Sequence, residues 1–131
     1  MEKRILQAAV ALCALIPVSA GMFGGLKGLL LFGETGDIGL DSHFRYLSGI
    51  LLAIGVGYWT TIPNIERQGA RFGLLTLLVV TGGLFRAIGR FVDGPAGLAM
   101  TVALMVELGL APALYLWQQR IARMDAARVA E

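Results

Sequence analysis

Four long apolar runs separated by short polar stretches set the pattern of this chain. They extend from Ile5 to about Phe23, from Phe44 to Ile62, from Phe72 to Phe91 and from Gly97 to Trp117. The third run admits Arg86 and Arg90, and the fourth is broken only by Glu107. Each run is close to the ~20 residues needed to cross ~30 Å of hydrocarbon as a helix. Backbone groups in hydrocarbon must be satisfied within the segment, so the runs predict helices and not strands. The expected architecture is all-α: an integral membrane four-helix bundle occupying the whole chain, residues 1–131, as one domain.

Composition agrees with lipid as part of the solvent. The chain is 56% hydrophobic and 15% charged, with a mean hydropathy of +0.72. A soluble domain carries ~25% charged residues, and a chain of this length cannot hide so much apolar surface in one core. The net charge of +2 does not indicate nucleic acid. The basic residues lie at helix ends and not in a patch interleaved with aromatics. A single cysteine, Cys13, excludes an internal disulfide, and no cysteine or histidine spacing matches a metal site. One histidine, His43, cannot supply bis-histidine haem ligation. No cofactor is expected.

The opening, MEKRILQAAVALCALIPVSAG, also has the form of a signal peptide: Lys3 and Arg4, an apolar stretch, then Val18-Ser19-Ala20 as a small-residue cleavage site. Apolar character resumes in MFGGLKGLLLFG, which favours an uncleaved first helix, loosened at Pro17. With both termini inside, the inner side holds Lys3, Arg4, Arg67, Arg71, Arg120, Arg123 and Arg128. The outer side holds Lys27, Arg45, Arg86 and Arg90. The excess of basic residues inside favours this N-in, C-in orientation. Tyr58, Trp59 and Trp117 then fall at the inner interface. In a bacterium, the loops after the first and third spans face the periplasm.

Small residues four apart predict close helix contacts: Ala20, Gly24 and Gly28; Gly49, Ala53 and Gly57; and Gly109 with Ala113. This spacing supports packing and leaves open both a homo-oligomer and a membrane-protein partner. The residues after Arg123 read as a fraying helical tail.

The charged residues inside these runs are the candidate chemistry. Asp41 and Arg45 are four apart and share a helical face, as do Arg86 and Arg90. Asp41 is also a candidate N-cap for the second span, with Ser42 the competing choice. Glu107 lies ten residues past Gly97, ~15 Å along a helix and close to mid-bilayer. Facing lipid there would be costly, so it is expected to face the bundle interior and to pair with Arg86 or Arg45. Met100, Ala103 and Ala111 share its face. Asp93-Gly94-Pro95 reads as a turn between spans three and four.

The stretches FRYLSG, GGLFRAIGR, DGP and VEL resemble a bacterial family of short four-span membrane proteins known only as a domain of unknown function. The resemblance runs from about Ile5 to Trp117 and rests on Arg45, Gly49, Arg86 and Glu107. It implies the four-span fold and an inner-membrane location, and names no ligand.

Two functional expectations follow. In the first, an outward-opening pocket binds an amphipathic lipid, quinone or isoprenoid-like molecule through Asp41, His43, Arg45, Arg86 and Arg90, and Glu107 serves as the acid or base if chemistry follows. In the second, the protein is a structural or assembly subunit of a membrane complex, and its Arg–Glu charges only lock helix register.

Overall fold

The apolar runs fold as four helical stretches in the computed structural model, which describes residues 1–34 and 36–130. Helix accounts for 88% of the chain and no strand occurs among the described residues, so the class is all-α. Helices α1 (Glu2–Cys13) and α2 (Leu15–Lys27) form the first stretch and end in a 3₁₀ turn, Gly28–Phe32. Helix α3 (Ile38–Thr61) is the second and α4 (Gly69–Asp93) the third. Helix α5 (Leu98–Met105), a π-helical segment (Val106–Leu110) and α6 (Ala111–Val129) make the fourth.

Three stretches are long and apolar enough to cross a membrane: Glu2–Phe32, Gly69–Asp93 and Leu98–Val129. Of the four expected spans, the second falls short. At 24 residues α3 has the length, but Asp41, His43 and Arg45 at one end and Tyr58, Trp59, Thr60 and Thr61 at the other shorten its apolar middle. The helices also start and stop differently from the apolar runs. Helix α3 begins six residues before Phe44, because Asp37 caps it by accepting from the Leu40 amide at 2.8 Å. The cap is therefore neither Asp41 nor Ser42. The last helix continues regularly to Val129. The loosening attributed to Pro17 falls at Ala14, between α1 and α2. Pro17 has no N–H for the carbonyl of Cys13, so the regular ladder loses that bond.

The chain divides into two compact units. In Gln7–Pro63, α2 packs along α3 through small residues. Gly21 and Gly24 are buried on α2 and Gly28 at the start of the 3₁₀ turn, and Ser48 and Gly55 on α3. A methyl group at Gly21 would stand 2.5 Å from the Leu52 nitrogen, and one at Gly55 2.6 Å from Val18 Cγ2. This seam replaces most of the expected ridges: Ala20, Gly49 and Ala53 are exposed. A strict spacing of four drifts around an α-helix by about 40° per step, whereas steps of three and four together stay on one face.

The other unit comprises Met1–Leu6 and Asn64–Glu131. Its core holds Leu6, Ile65, Phe72 and Gln118, each 0% exposed. Phe72 stacks on Tyr115 at 6.5 Å, and Gly73 lies against the same tyrosine ring. Gln118 donates to the Ile65 carbonyl at 2.8 Å and accepts from Gln119 Nε2 at 3.0 Å, so its buried amide is satisfied. The chain start is tied to α6: the Trp117 indole donates to Glu2 at 3.1 Å, and Arg120 pairs with the same carboxylate. The other expected belt tryptophan, Trp59, donates to the Ala11 carbonyl at 3.1 Å, and Tyr58 is buried.

Large apolar side chains lie on the outside along these helices. Phe85, Phe91, Val92, Leu98 and Leu116 are all well exposed. In water such a surface would aggregate; in a bilayer it meets its preferred solvent.

The seam yields a paired test. Gly21→Ala should destabilise the detergent-solubilised protein by about 1–3 kcal/mol through overpacking. Gly49→Ala, on an open face, should be neutral or raise the melting temperature through helix propensity. Equal effects at both positions would refute this α2–α3 seam.

Candidate functional site

The charged residues fall into two groups. In the first, Arg45 reaches across from α3 to the end of α2. Its Nη1 donates to the carbonyls of Gly25 at 2.9 Å and Leu26 at 2.8 Å. Its Nε donates to Asp41 Oδ2 at 2.7 Å, and Asp41 Oδ1 accepts the Leu29 amide at 2.7 Å. A helix end leaves its last carbonyls without partners, and those carbonyls carry the negative end of the helix dipole. Arg45 answers both demands, and Asp41 holds Arg45 while taking the amide just past the helix.

Gly28 makes this approach possible. Its φ of 60° lies in the left-handed region, and a side chain there would collide with Asp41 and Arg45. The Asp41 carboxyl is held below the usual carboxylate range, chiefly by the hydrogen bond from Arg45 and next by the Leu29 amide. Asp41 and Arg45, expected as ligand contacts, are thus engaged with their own chain.

Beside them is an open hollow of about 270 Å³, to which Lys27 and Leu29 also contribute. Its charged lining is Lys27 and Arg45 against Glu34, Asp37 and Asp41, so it offers an anion no net attraction. His43 is not among its lining residues. It is exposed, with its ring 6.5 Å from Tyr46.

The second group joins α4 to the last helical stretch. Arg86 grips Glu107 as a fork: Nε to Oε2 at 2.8 Å and Nη2 to Oε1 at 2.9 Å. The third guanidinium nitrogen, Nη1, lies 2.9 Å from Met100 Sδ. This planar two-bond arrangement is the strong form of an Arg–carboxylate contact.

The local sequence explains how the helices come close enough. A methyl group at Gly83 would stand 2.8 Å from Glu107 Cβ and 2.9 Å from Leu108 Cδ2. Gly83 lets the backbone of α4 approach, and Arg86, three residues on, lies on the same face to meet the carboxylate. The Gly-Gly-x-x-Arg spacing in GGLFRAIGR thus has a physical reading in which Gly83 is the close-contact glycine; Gly82 faces open space.

Glu107 lies in the π-helical segment Val106–Leu110. A π turn widens the helix by one residue per turn and re-aims its side chains, and such turns are frequent at functional sites. The apolar pattern carries no mark of it. The Arg86–Glu107 pair is not sealed: the side chains are 36% and 17% exposed, respectively. One turn along α4, Arg90 is exposed and donates through Nη1 to Thr101 Oγ1 at 3.0 Å. Thr101 was not among the residues anticipated from sequence. Its place four residues past Gly97, whose carbonyl its hydroxyl reaches at 3.0 Å, is intelligible only once α5 is seen to start there.

Away from both groups, Lys3 pairs with Glu66 at 2.8 Å. That hydrogen bond is the main cause of a Glu66 carboxyl held below its ordinary value.

Two carboxyls with lowered folded-state values give stability a definite pH dependence. The contribution of Asp41 and Glu66 is fully present above their unfolded values of about 4 and is lost as pH falls through the folded values. Thermal melts should be flat above about pH 5 and fall below about pH 4. Asp41→Asn should flatten that acid limb, and Lys3→Met should do so independently. An unchanged acid limb in both variants would remove these pairs as its cause.

The family described as a domain of unknown function, DUF4345, matches residues 5–118. No curated protein and no solved structure matches the chain.

Proposed function

We propose that this chain, which belongs to the DUF4345 family of domains of unknown function, is an integral protein of the bacterial inner membrane that binds an amphipathic molecule at the strip formed by Arg86, Glu107 and Arg90. The observation that carries the reading is the half-open Arg86–Glu107 fork. A bidentate ion pair stands on a π-helical turn inside an apolar helix, with more than a third of the arginine side chain uncovered and a second arginine one turn away. A pair serving only to fix helix register has no need of that opening. A charge at this depth is a functional-site candidate by default.

The ligand class is a lipid, quinone or isoprenoid-like molecule whose polar end meets the strip while its tail lies along the exposed apolar flank. If chemistry follows binding, Glu107 is the group that holds and moves a proton, after the ligand draws Arg86 away from one carboxylate oxygen. No cofactor enters this reading.

The reading of Glu107 as a pure lock has its own support. Both carboxylate oxygens are engaged, and Gly83 leaves no room behind the Glu107 Cβ. Under that reading the protein is a structural or assembly subunit of a membrane complex, and Arg86–Glu107 sets helix register.

Glu107→Gln separates the two. The ligand reading expects co-purifying amphiphile to fall sharply while the melting temperature moves little, because a half-open Arg86 rehydrates or reaches toward headgroups. The lock reading expects a loss approaching the ~3–5 kcal/mol of a broken buried pair, with ligand content unchanged. Arg86→Gln should repeat the Glu107→Gln profile, and the double variant should be less than additive.

The orientation proposed is N-in, C-in, supported by the seven basic residues from Lys3 to Arg128 on one side against Lys27, Arg45, Arg86 and Arg90 on the other. A reporter fused after Glu131 should behave as cytoplasmic; a periplasmic signal there would overturn the orientation.

A further inference from the structure

Arg86 and Arg90 differ in a way that identifies the ligand's polar group. Arg86 has all three guanidinium nitrogens engaged, two on Glu107 and the third beside Met100 Sδ. Among the described residues the Arg90 side chain makes one hydrogen bond, from Nη1 to Thr101 Oγ1, and no acid lies within pairing distance. Thr101 is well placed to hold it. The hydroxyl's single proton is directed to the Gly97 carbonyl, so the oxygen's lone pairs are left for the guanidinium. This anchors one corner of the fork. The opposite edge, Nε and Nη2, is free, and that edge presents two parallel N–H groups to two oxygens of one anion.

The surroundings are apolar. Phe91 is 88% exposed and Leu98 80%, and Phe85 and Val92 are also well exposed. These side chains place the Arg90 end of α4 in contact with lipid. A cation held there by a threonine, with no acid partner among the described residues, needs an anion from its solvent. In a bilayer that anion is the lipid phosphate. A quinone or a neutral isoprenoid offers no charge to match it.

Resting on the membrane-site reading above, we propose that Arg90 binds the phosphate of a phospholipid entering from the bilayer. Thr101 is the positioning residue, and the Arg86–Glu107 fork borders the site. The apolar flank selects the lipid-borne phosphate over the free ion.

The test is native mass spectrometry of the detergent-solubilised full chain titrated with phosphatidylglycerol, diacylglycerol or inorganic phosphate. Wild type is expected to take up one phosphatidylglycerol, with little diacylglycerol binding and no displacement by inorganic phosphate. Arg90→Gln should weaken that binding about tenfold or more, as expected for losing a hydrogen-bonded charge. Arg90→Lys, which keeps the charge but loses the fork, should fall between the two. Thr101→Val should weaken binding without removing the charge, and serves if Arg90→Gln does not fold. Equal uptake of diacylglycerol, displacement by inorganic phosphate, or full binding in both Arg90→Gln and Thr101→Val would overturn the proposal. If a phosphorus-free amphiphile is retained in a Glu107-dependent way while phosphatidylglycerol is not bound, this inference falls and the broader site reading stands. If Glu107→Gln and Arg90→Gln leave all amphiphile binding unchanged, both fall.

Discussion

Hydrocarbon offers no hydrogen bonds, and most of the specific contacts in this protein answer that constraint. Arg45 turns the loose carbonyls at the end of α2 into a paired helix terminus, and Asp41 completes the arrangement by taking the next amide. The same demand accounts for Gln7 on the Ile62 carbonyl, Trp59 on that of Ala11 and Gln118 on that of Ile65. Each is a side chain satisfying a backbone oxygen at or near a helix irregularity, where the regular ladder lapses. With three helices apolar enough to cross a membrane, leaving such groups unpaired would cost several kcal/mol each, on the order of the whole stability of a small domain.

Without a hydrophobic drive between helices inside lipid, close approach has to come from shape. Glycine supplies it in both units. Gly21, Gly24 and Gly55 bring α2 and α3 together, and Gly83 brings α4 to the segment that carries Glu107. These contacts position the polar chemistry as well as the backbones. A bulkier residue at Gly28 would push Arg45 off the end of α2, and one at Gly83 would part Arg86 from Glu107.

The three arginines and two acids first grouped by their intramembrane setting therefore divide by task. Asp41 and Arg45 terminate a helix. Arg86 and Glu107 face each other as a paired, half-open fork. Arg90, tied to a threonine and with no acid partner among the described residues, has unused donors in apolar surroundings. Charge alone does not distinguish these roles; the number of donors left after internal pairing does.

Much of this was legible in the chain. The apolar runs determine an all-α class, because a backbone in lipid has only its own helix to bond to. The isolated charge of Glu107 demands a partner, and the i,i+4 spacing of Asp41 and Arg45 places those two together. Other features belong to tertiary structure. Which arginine meets Glu107 depends on Gly83 and on the π turn at Val106–Leu110, and a π turn leaves no periodic trace in a uniformly apolar segment. The expected spacing found Gly24 and Gly28 but missed Gly21 and Gly55, because a chain with 18 glycines contains many four-residue spacings, and only contact with a second helix selects among them. That Arg45 caps α2 depends on a partner some twenty residues away, brought near by the turn after Gly28. Local sequence determines which groups need partners, because solvation is a property of each residue; tertiary structure decides which partner each one meets, because distance is a property of the fold.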